Sequence, residues 1–117
     1  MSTFQDLVAD HCIPVQPGQA PLSDDLAQGL LVALEGWVRG ADNDIEKAFS
    51  FPDFLSALAF VNAIAGIAEE QGHHPDLYLG WGKVSVSLTT HDVGGLSRAD
   101  FVLAAKIERY AQMSGQN

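Results

Sequence analysis

The segment over residues 83–90 constrains the fold most, because apolar and polar side chains alternate along almost all of it. The apolar positions are Val84, Val86 and Leu88, and the polar positions beside them are Ser85, Ser87 and Thr89. Successive side chains of a strand point to opposite faces of a sheet, so this period of two predicts a strand with one buried face. A sheet built from such strands needs its helices gathered on one side.

The rest of the chain predicts helices and further strands around this segment. In order, they are a helix capped by Ser23 and running to about Leu34, strands at 36–38 and 45–51, a helix over 52–72, strands at 77–81 and 83–90, and a helix over 97–113. In the long helix, one face is predicted from Phe54, Leu58, Val61, Ala65 and Ala68. Gly72 is predicted as its left-handed cap. We therefore expect an α+β fold of order α-β-β-α-β-β-α, a four-stranded antiparallel sheet with helices packed on one face.

Length and composition narrow the class of protein. A chain of 117 residues predicts one domain over 1–117, and the proline- and glycine-rich stretch 11–21 predicts an irregular leader over 1–21. Cys12 is the single cysteine, which fits the reducing cytoplasm where we expect the protein. No signal peptide or membrane span is predicted. A net charge of −9 argues against nucleic-acid binding, because phosphate backbones would be repelled.

Three of the four histidines lie between residues 73 and 91. His73 and His74 follow the helix-ending glycine, and His91 ends the strand over 83–90. Pro75 favours an extended conformation for the residue before it, so the side chains of His73 and His74 are expected to diverge. Continued alternation would place His91 on the polar face of its strand. Since helix and strand ends often present reactive groups, these histidines form a candidate site.

The same residues also have structural interpretations. Spacing alone leaves the three clustered histidines equally open to structural and functional roles, while His11 is expected to be a surface or hydrogen-bonded structural residue. Asp100 follows Ser97 at capping-box spacing, which explains its carboxylate without catalysis. Trp81 is interpreted as a core or turn aromatic. No metal site is expected, because adjacent extended histidines rarely reach one ion and no cysteine or carboxylate lies at ligand spacing.

A longer set of residues resembles the signature of the pterin-4a-carbinolamine dehydratases. The set consists of Glu69, His73, His74, Pro75, Trp81, His91 and Asp100, and every spacing of the family signature is met. Trp37 with the glycine before it, and the aromatic stretch 49–54, also resemble the family. The resemblance thus covers roughly residues 11–110.

The resemblance implies the four-stranded antiparallel fold and a hydro-lyase activity. The substrate would be 4a-hydroxytetrahydrobiopterin, and loss of water would give quinonoid dihydropterin and recycle the tetrahydropterin. His73 and His91 would handle the leaving hydroxyl and His74 would serve ring nitrogen 5, because imidazole exchanges protons near neutral pH. No cofactor or metal is expected, since the pterin is itself the substrate.

The resemblance also implies residues that support the three histidines. Contacts with the pterin, largely through the backbone, are expected from Pro75, Thr90, Asp92 and Val93. Glu69 either orients an imidazole or is a solvated charge at the helix end. Trp81 and Asp100 complete the supporting set.

Two alternatives to this dehydratase stay open. Some family members act as dimerisation partners of a homeodomain transcription factor, so the chain is alternatively a non-catalytic interaction module of the coactivator kind. The complete histidine set argues against that role. The same site would also suit another pterin, such as one of the molybdopterin pathway. The resemblance further implies a homodimer or homotetramer and a functional link to an aromatic amino acid hydroxylase.

Overall fold

The computed structural model describes residues 2–115 as a four-stranded antiparallel sheet with helices. The helices are α1 (Phe4–Ala9), α2 (Asp24–Leu31), α3 (Phe54–Gln71) and α4 (Arg98–Met113), with a 3-10 turn at His91–Val93. The strands are β1 (Val38–Arg39), β2 (Ile45–Ser50), β3 (Asp76–Gly80) and β4 (Lys83–Leu88), in the order β1-β2-β4-β3. The predicted α+β class is confirmed. Within the described residues, no helix is long and apolar enough to cross a membrane.

One face of the sheet is apolar and buried against the helices. This face is formed mainly by Ile45, Phe49, Val84, Val86 and Leu88. The register of β2 and β4 sets Phe49 opposite Val84. From α3, the ring of Phe60 lies 4.9 Å from that of Phe49. The serines between the β4 core residues stay partly exposed, so the one-sided sheet predicted from alternation is confirmed.

The leader contains a helix where irregular structure was predicted. The Asp6 N–H donates to the Thr3 hydroxyl at 3.1 Å, and the Thr3 N–H donates to the Asp6 carboxylate at 3.0 Å. This capping box begins α1, and Leu7 is fully buried where α1 packs against α4. The prediction is wrong over Phe4–Ala9, because the proline and glycine signals lie only after this segment.

Helix α3 buries a different face from the one predicted. Its buried residues are Ala57, Phe60, Ile64 and Ala68. Of the residues predicted to form the buried face, Phe54 and Ala65 are exposed, and only Ala68 is fully buried. This helix carries apolar residues on all of its faces. Several sets of residues at helical spacing could therefore form the buried face, and packing on the sheet determines which one does.

Several element ends also differ from the prediction. Helix α2 ends at Leu31 instead of near Leu34, and β1 begins at Val38. Trp37 precedes β1 as a buried residue whose indole N–H donates to Glu108 at 3.0 Å. β3 lies one residue earlier than predicted, which leaves Trp81 in the β3–β4 turn.

Candidate active site

The C-terminal end of α3 presents two adjacent histidines on diverging side chains. Gly72 has φ 65° and ψ 25°, the left-handed conformation that glycine adopts without steric cost, and it ends the helix as predicted. The side chain of His73 reaches the start of α4, while that of His74 stays beside the last turn of α3. The predicted divergence is therefore confirmed.

His73 contacts a fully buried carboxylate. Its Nε2 lies 2.7 Å from Oδ1 of Asp100. The other oxygen, Oδ2, accepts hydrogen bonds from the Ser97 N–H at 2.9 Å and from the Thr90 hydroxyl at 2.8 Å. An ionised carboxylate only accepts, so His73 Nε2 carries the proton and Nδ1 is the nitrogen that exchanges a second one. Asp100 thereby orients the ring.

The predicted role of Asp100 as a helix cap is correct but incomplete. Its bond from the Ser97 N–H is the capping contact at the start of α4. The contact with His73 joins residues 27 positions apart, which no local pattern reveals. Asp100 therefore belongs to the candidate site as well as to the helix end.

His74 pairs with Glu69 in solvent. Its Nε2 lies 2.5 Å from Glu69 Oε2, and the two side chains are 60% and 77% exposed. Glu69 lies four residues before His73, but it contacts His74. The contact agrees with orientation of an imidazole by Glu69, and its exposure agrees equally with a solvated charge at the helix end.

His91 lies on a loop that hydrogen bonds hold in shape. β4 ends at Leu88, and Thr90 forms an isolated bridge with Gly95 through an N–H to carbonyl bond of 2.8 Å. Between them, His91 begins the 3-10 turn, and the Gly94 N–H donates to the His91 carbonyl at 3.0 Å. The expectation that His91 continues the strand alternation is wrong, because the chain has already left the strand.

The three histidines border one cleft of about 200 Å³. Its other walls are Gly72, Thr89, Thr90 and Asp92. Residues from the end of α3 and from the loop after β4 therefore meet, although they are distant in sequence. This arrangement brings together the predicted catalytic set and two of the predicted pterin contacts.

Other predicted residues lie outside this cleft. Trp81 is 75% exposed in the β3–β4 turn, at the opposite end of β3 from the histidines, so it lies apart from them. Val93 is partly buried in the 3-10 turn and Pro75 is partly buried before β3. Neither of these two side chains lines the cleft.

A second cleft of about 220 Å³ adjoins the first. The two share Gly72, His73, Thr90 and Asp92 in their walls, and residues 12–15 of the leader close the far side. Sequence reasoning missed these leader residues because no motif marks them. A larger hollow of about 590 Å³ lies over the open face of the sheet and contains no histidine.

The chemistry available at this site is proton transfer. Several imidazoles border one space, and two of them contact carboxylates that orient their rings. Within residues 2–115, no three His, Cys, Asp or Glu side chains form a group that could hold a metal ion. Both acid and base forms of imidazole are accessible near neutral pH.

Comparison with known sequences gives a family and relatives that carry the same name. The family described as Pterin 4 alpha carbinolamine dehydratase matches residues 20–110. A protein of Alkaliphilus metalliredigens is 43% identical over 107 residues, which cover 91% of this chain and 96% of that protein. A protein of Nitrosomonas eutropha is 42% identical over 109 residues, which cover 92% and 96%. Both carry the provisional name pterin-4-alpha-carbinolamine dehydratase.

Two solved structures share the fold. A transcriptional coactivator/pterin dehydratase of Brucella melitensis matches with a TM-score of 0.74 and 32% identity, covering 78% of this chain and 98% of that one. A pterin dehydratase-like protein described as a RuBisCO assembly factor of the alpha-carboxysome matches with a TM-score of 0.56 and 26% identity. The second match covers 66% of this chain and 90% of that one.

Proposed function

Because the chain belongs to the pterin 4 alpha carbinolamine dehydratase family, we propose that it removes water from a tetrahydropterin hydroxylated at carbon 4a. The observation that carries this proposal is the single cleft bordered by His73, His74 and His91. The proposed substrate is 4a-hydroxytetrahydrobiopterin, and the proposed product is quinonoid dihydropterin. The reaction would recycle the pterin of an aromatic amino acid hydroxylase, which is the functional partner we propose.

The proton balance of the reaction suits this site. The bond between carbon 4a and oxygen breaks, nitrogen 5 loses its proton, and a double bond forms between carbon 4a and nitrogen 5. One proton goes to the leaving hydroxyl and one leaves nitrogen 5, so the elimination needs neither an oxidant nor a reductant. Positioned acids and bases typically accelerate such steps about 100- to 10,000-fold.

The surroundings of each histidine suggest its role. In our proposal His73, whose ring Asp100 orients, delivers a proton to the leaving hydroxyl together with His91. His74, which is exposed and paired with Glu69, accepts the proton from nitrogen 5 and holds the ring. Each histidine then returns to its starting state by exchange with water.

The remaining predicted contacts with the pterin are also part of the proposal. The Thr90 hydroxyl is occupied by Asp100 and Ser97, so Thr90 would meet the pterin through its backbone. Asp92 lines both clefts and is a proposed ring contact. Pro75 and Val93 would act by shaping the backbone beside the ring.

Stopped-flow absorbance tests this function directly. A hydroxylase generates the carbinolamine in situ, and its decay is followed with and without the protein. We expect decay well above the buffer-catalysed rate, unchanged after dialysis against a strong chelator. Decay at the buffer rate with folded protein would refute the dehydratase proposal.

In that case the interaction module becomes the better proposal. Two proteins of this fold are described as a transcriptional coactivator/pterin dehydratase and as a RuBisCO assembly factor. β3 is hydrogen bonded on one side only, so this chain offers a strand edge for association. We propose a homodimer or homotetramer in either case.

A further inference from the structure

The open face of the sheet carries a pair of carboxylates that the proposed reaction does not use. Asp44 directly precedes β2 and Glu46 is its second residue, so the two side chains project from the same face of the sheet. Neither lines the two clefts beside the histidines, and Glu46 borders the larger hollow over the open face. The pair is therefore separate from the candidate active site.

One oxygen of Asp44 is buried without a hydrogen-bond donor. The other oxygen, Oδ2, accepts a hydrogen bond from the Ser87 hydroxyl at 2.5 Å, which fixes the carboxylate against β4. Only 6% of Asp44 is exposed, and its Oδ1 accepts no hydrogen bond from the described residues. A buried carboxylate oxygen in this state is costly, because it has lost its water without gaining a donor or a cation. This oxygen therefore points to a positively charged ligand.

The carboxylate of Glu46 converges on the same place. A methyl group built on Gly40 would overlap Asp44 Oδ1 and lie 2.6 Å from Glu46 Oε2, so both oxygens border the space that the glycine leaves. The negative charge of Asp44, followed by desolvation and by Asp42, raises the pKa of the Glu46 carboxyl above its ordinary value. Ionised carboxylates only accept hydrogen bonds, so the two oxygens are stabilised together by a proton or by a cation.

Hydrogen bonds fix the β1–β2 hairpin that carries this pair. The Gly40 N–H donates to the Asp44 carbonyl at 3.0 Å, and the Thr89 hydroxyl donates to the Asn43 carbonyl at 2.8 Å. Together with Ser87, these contacts position the oxygens of Asp44 before any ligand binds. Binding then costs little ordering of the chain.

We propose that Asp44 and Glu46 bind a hard divalent cation of the calcium or magnesium class and that this cation stabilises the β1–β2 hairpin. Both cations prefer oxygen ligands, and one or two carboxylates with water in the remaining positions are a common way to hold Mg²⁺. Within residues 2–115, no group of three acidic, histidine or cysteine side chains forms a complete metal cage. Binding is therefore weak, with a Kd on the order of 0.1–1 mM.

Calorimetric titration and thermal unfolding of the whole chain test this site. Protein treated with a chelator would be titrated with MgCl₂, with CaCl₂ and, at matched ionic strength, with NaCl. For at least one divalent salt we expect heat of binding and a midpoint of unfolding raised by about 4–8 °C at roughly ten times Kd. The salt with the lower Kd identifies the preferred cation. If neither divalent salt raised the midpoint further than NaCl does, the proposal would be overturned.

Glu46→Gln distinguishes a bound cation from a pair of carboxylates that only repel each other. The amide of the variant can donate to Asp44 Oδ1, so in chelator its midpoint of unfolding should be no lower than that of the unaltered protein. Its affinity for the divalent cation should fall at least ~10-fold, because one of two charged ligands is lost.

Glu70→Gln is the matched control for that variant. It removes the same charge at an exposed residue of α3, away from the pair, and should keep the full response to the cation. Equal losses in the two variants would show that divalent ions only screen the net charge of −9, which would refute the site.

Gly40→Ala tests the geometry without altering a charge. Its methyl group occupies the space that the two oxygens border, so cation affinity should again fall at least ~10-fold. Unchanged affinity in the folded variant would refute the proposal, and if the variant does not fold, Glu46→Gln decides. In two-dimensional NMR spectra of the unaltered protein, amide shifts caused by the cation should centre on residues 40–46 and on Ser87. Shifts centred on His73 and His91 instead would place the cation at the histidines and overturn the proposal.

Discussion

His73 and His74 are neighbours in the sequence and each contacts a carboxylate, but their surroundings differ in every other respect. The partner of His73 is Asp100, which is fully buried and holds hydrogen bonds on both oxygens. The partner of His74 is Glu69, which is largely exposed. A buried pair is sensitive to the loss of either member, whereas an exposed pair contributes little to stability. One pair therefore combines support of the fold with chemistry, and the other can be altered without affecting the fold.

The largest effect is expected from Asp100→Asn, which attacks the buried pair. An amide can still accept the Ser97 N–H, but its NH₂ group faces His73 and forces the opposite tautomer. We expect kcat to fall at least ~100-fold, as expected when a histidine is held in the wrong tautomer. The free energy of unfolding should fall by about 1–3 kcal/mol. Initial rates and denaturant melts would measure both.

Asp53→Asn is the matched control for that substitution. Asp53 caps α3 through a bond from the Ser56 N–H at 2.8 Å and lies outside both clefts. Asparagine caps helices as well as aspartate, so neither rate nor stability should change. If Asp100→Asn lost stability but kept its kcat, the buried carboxylate would be purely structural.

The next largest effect separates catalysis from folding at the exposed histidines. His74→Ala and His91→Ala should each lower turnover at least ~10-fold, or roughly 1.4 kcal/mol of transition-state stabilisation. Both residues are exposed, so the free energy of unfolding should change by less than ~1 kcal/mol. Rates and melting curves would be measured in parallel, with His11→Ala in the exposed leader as the control for both. Unfolding of either variant would show that these histidines support the fold.

The smallest effect is expected at the partner of the exposed pair. Glu69→Gln keeps the size of the side chain and removes the charge beside His74, so kcat should fall only about 3-fold, because an exposed pair is well screened. Glu70→Gln, at the next and also exposed residue, should have no effect. The kcat of both variants would be compared at low and high salt. A loss as large as that of Asp100→Asn would mean that the two pairs are equivalent after all.

Elements whose pattern is local could be predicted from the sequence. The alternation in β4 gave the buried face of Val84, Val86 and Leu88, since a period of two has one interpretation. Gly72 was predicted as the cap of α3 because a glycine directly after a helical pattern is also a local signal. The buried face of α3 was not predicted correctly, because a helix with apolar residues on all sides has no single apolar face in its sequence and only its packing decides which side is buried.

The candidate site was predictable as a set of residues but not as a set of contacts. His73, His74 and His91 were singled out by their clustering and by a family resemblance. Their individual partners were not predicted, because the bond between His73 and Asp100 depends on how α4 starts beside the end of α3. The part of the second cleft formed by residues 12–15 escaped notice because α1 and the contacts of Cys12 depend on distant segments.

The tethering of the leader has a consequence for the order of events during synthesis. The leader leaves the ribosome before the helices that hold it, because its anchor points, Gln71 and Ala99, lie 59 and 87 residues further along the chain from Cys12. A nascent chain must therefore carry an unattached leader until α3 and the start of α4 have emerged. Closure of such a long loop comes late in folding. The second cleft would thus be among the last parts of the molecule to be completed, after the sheet.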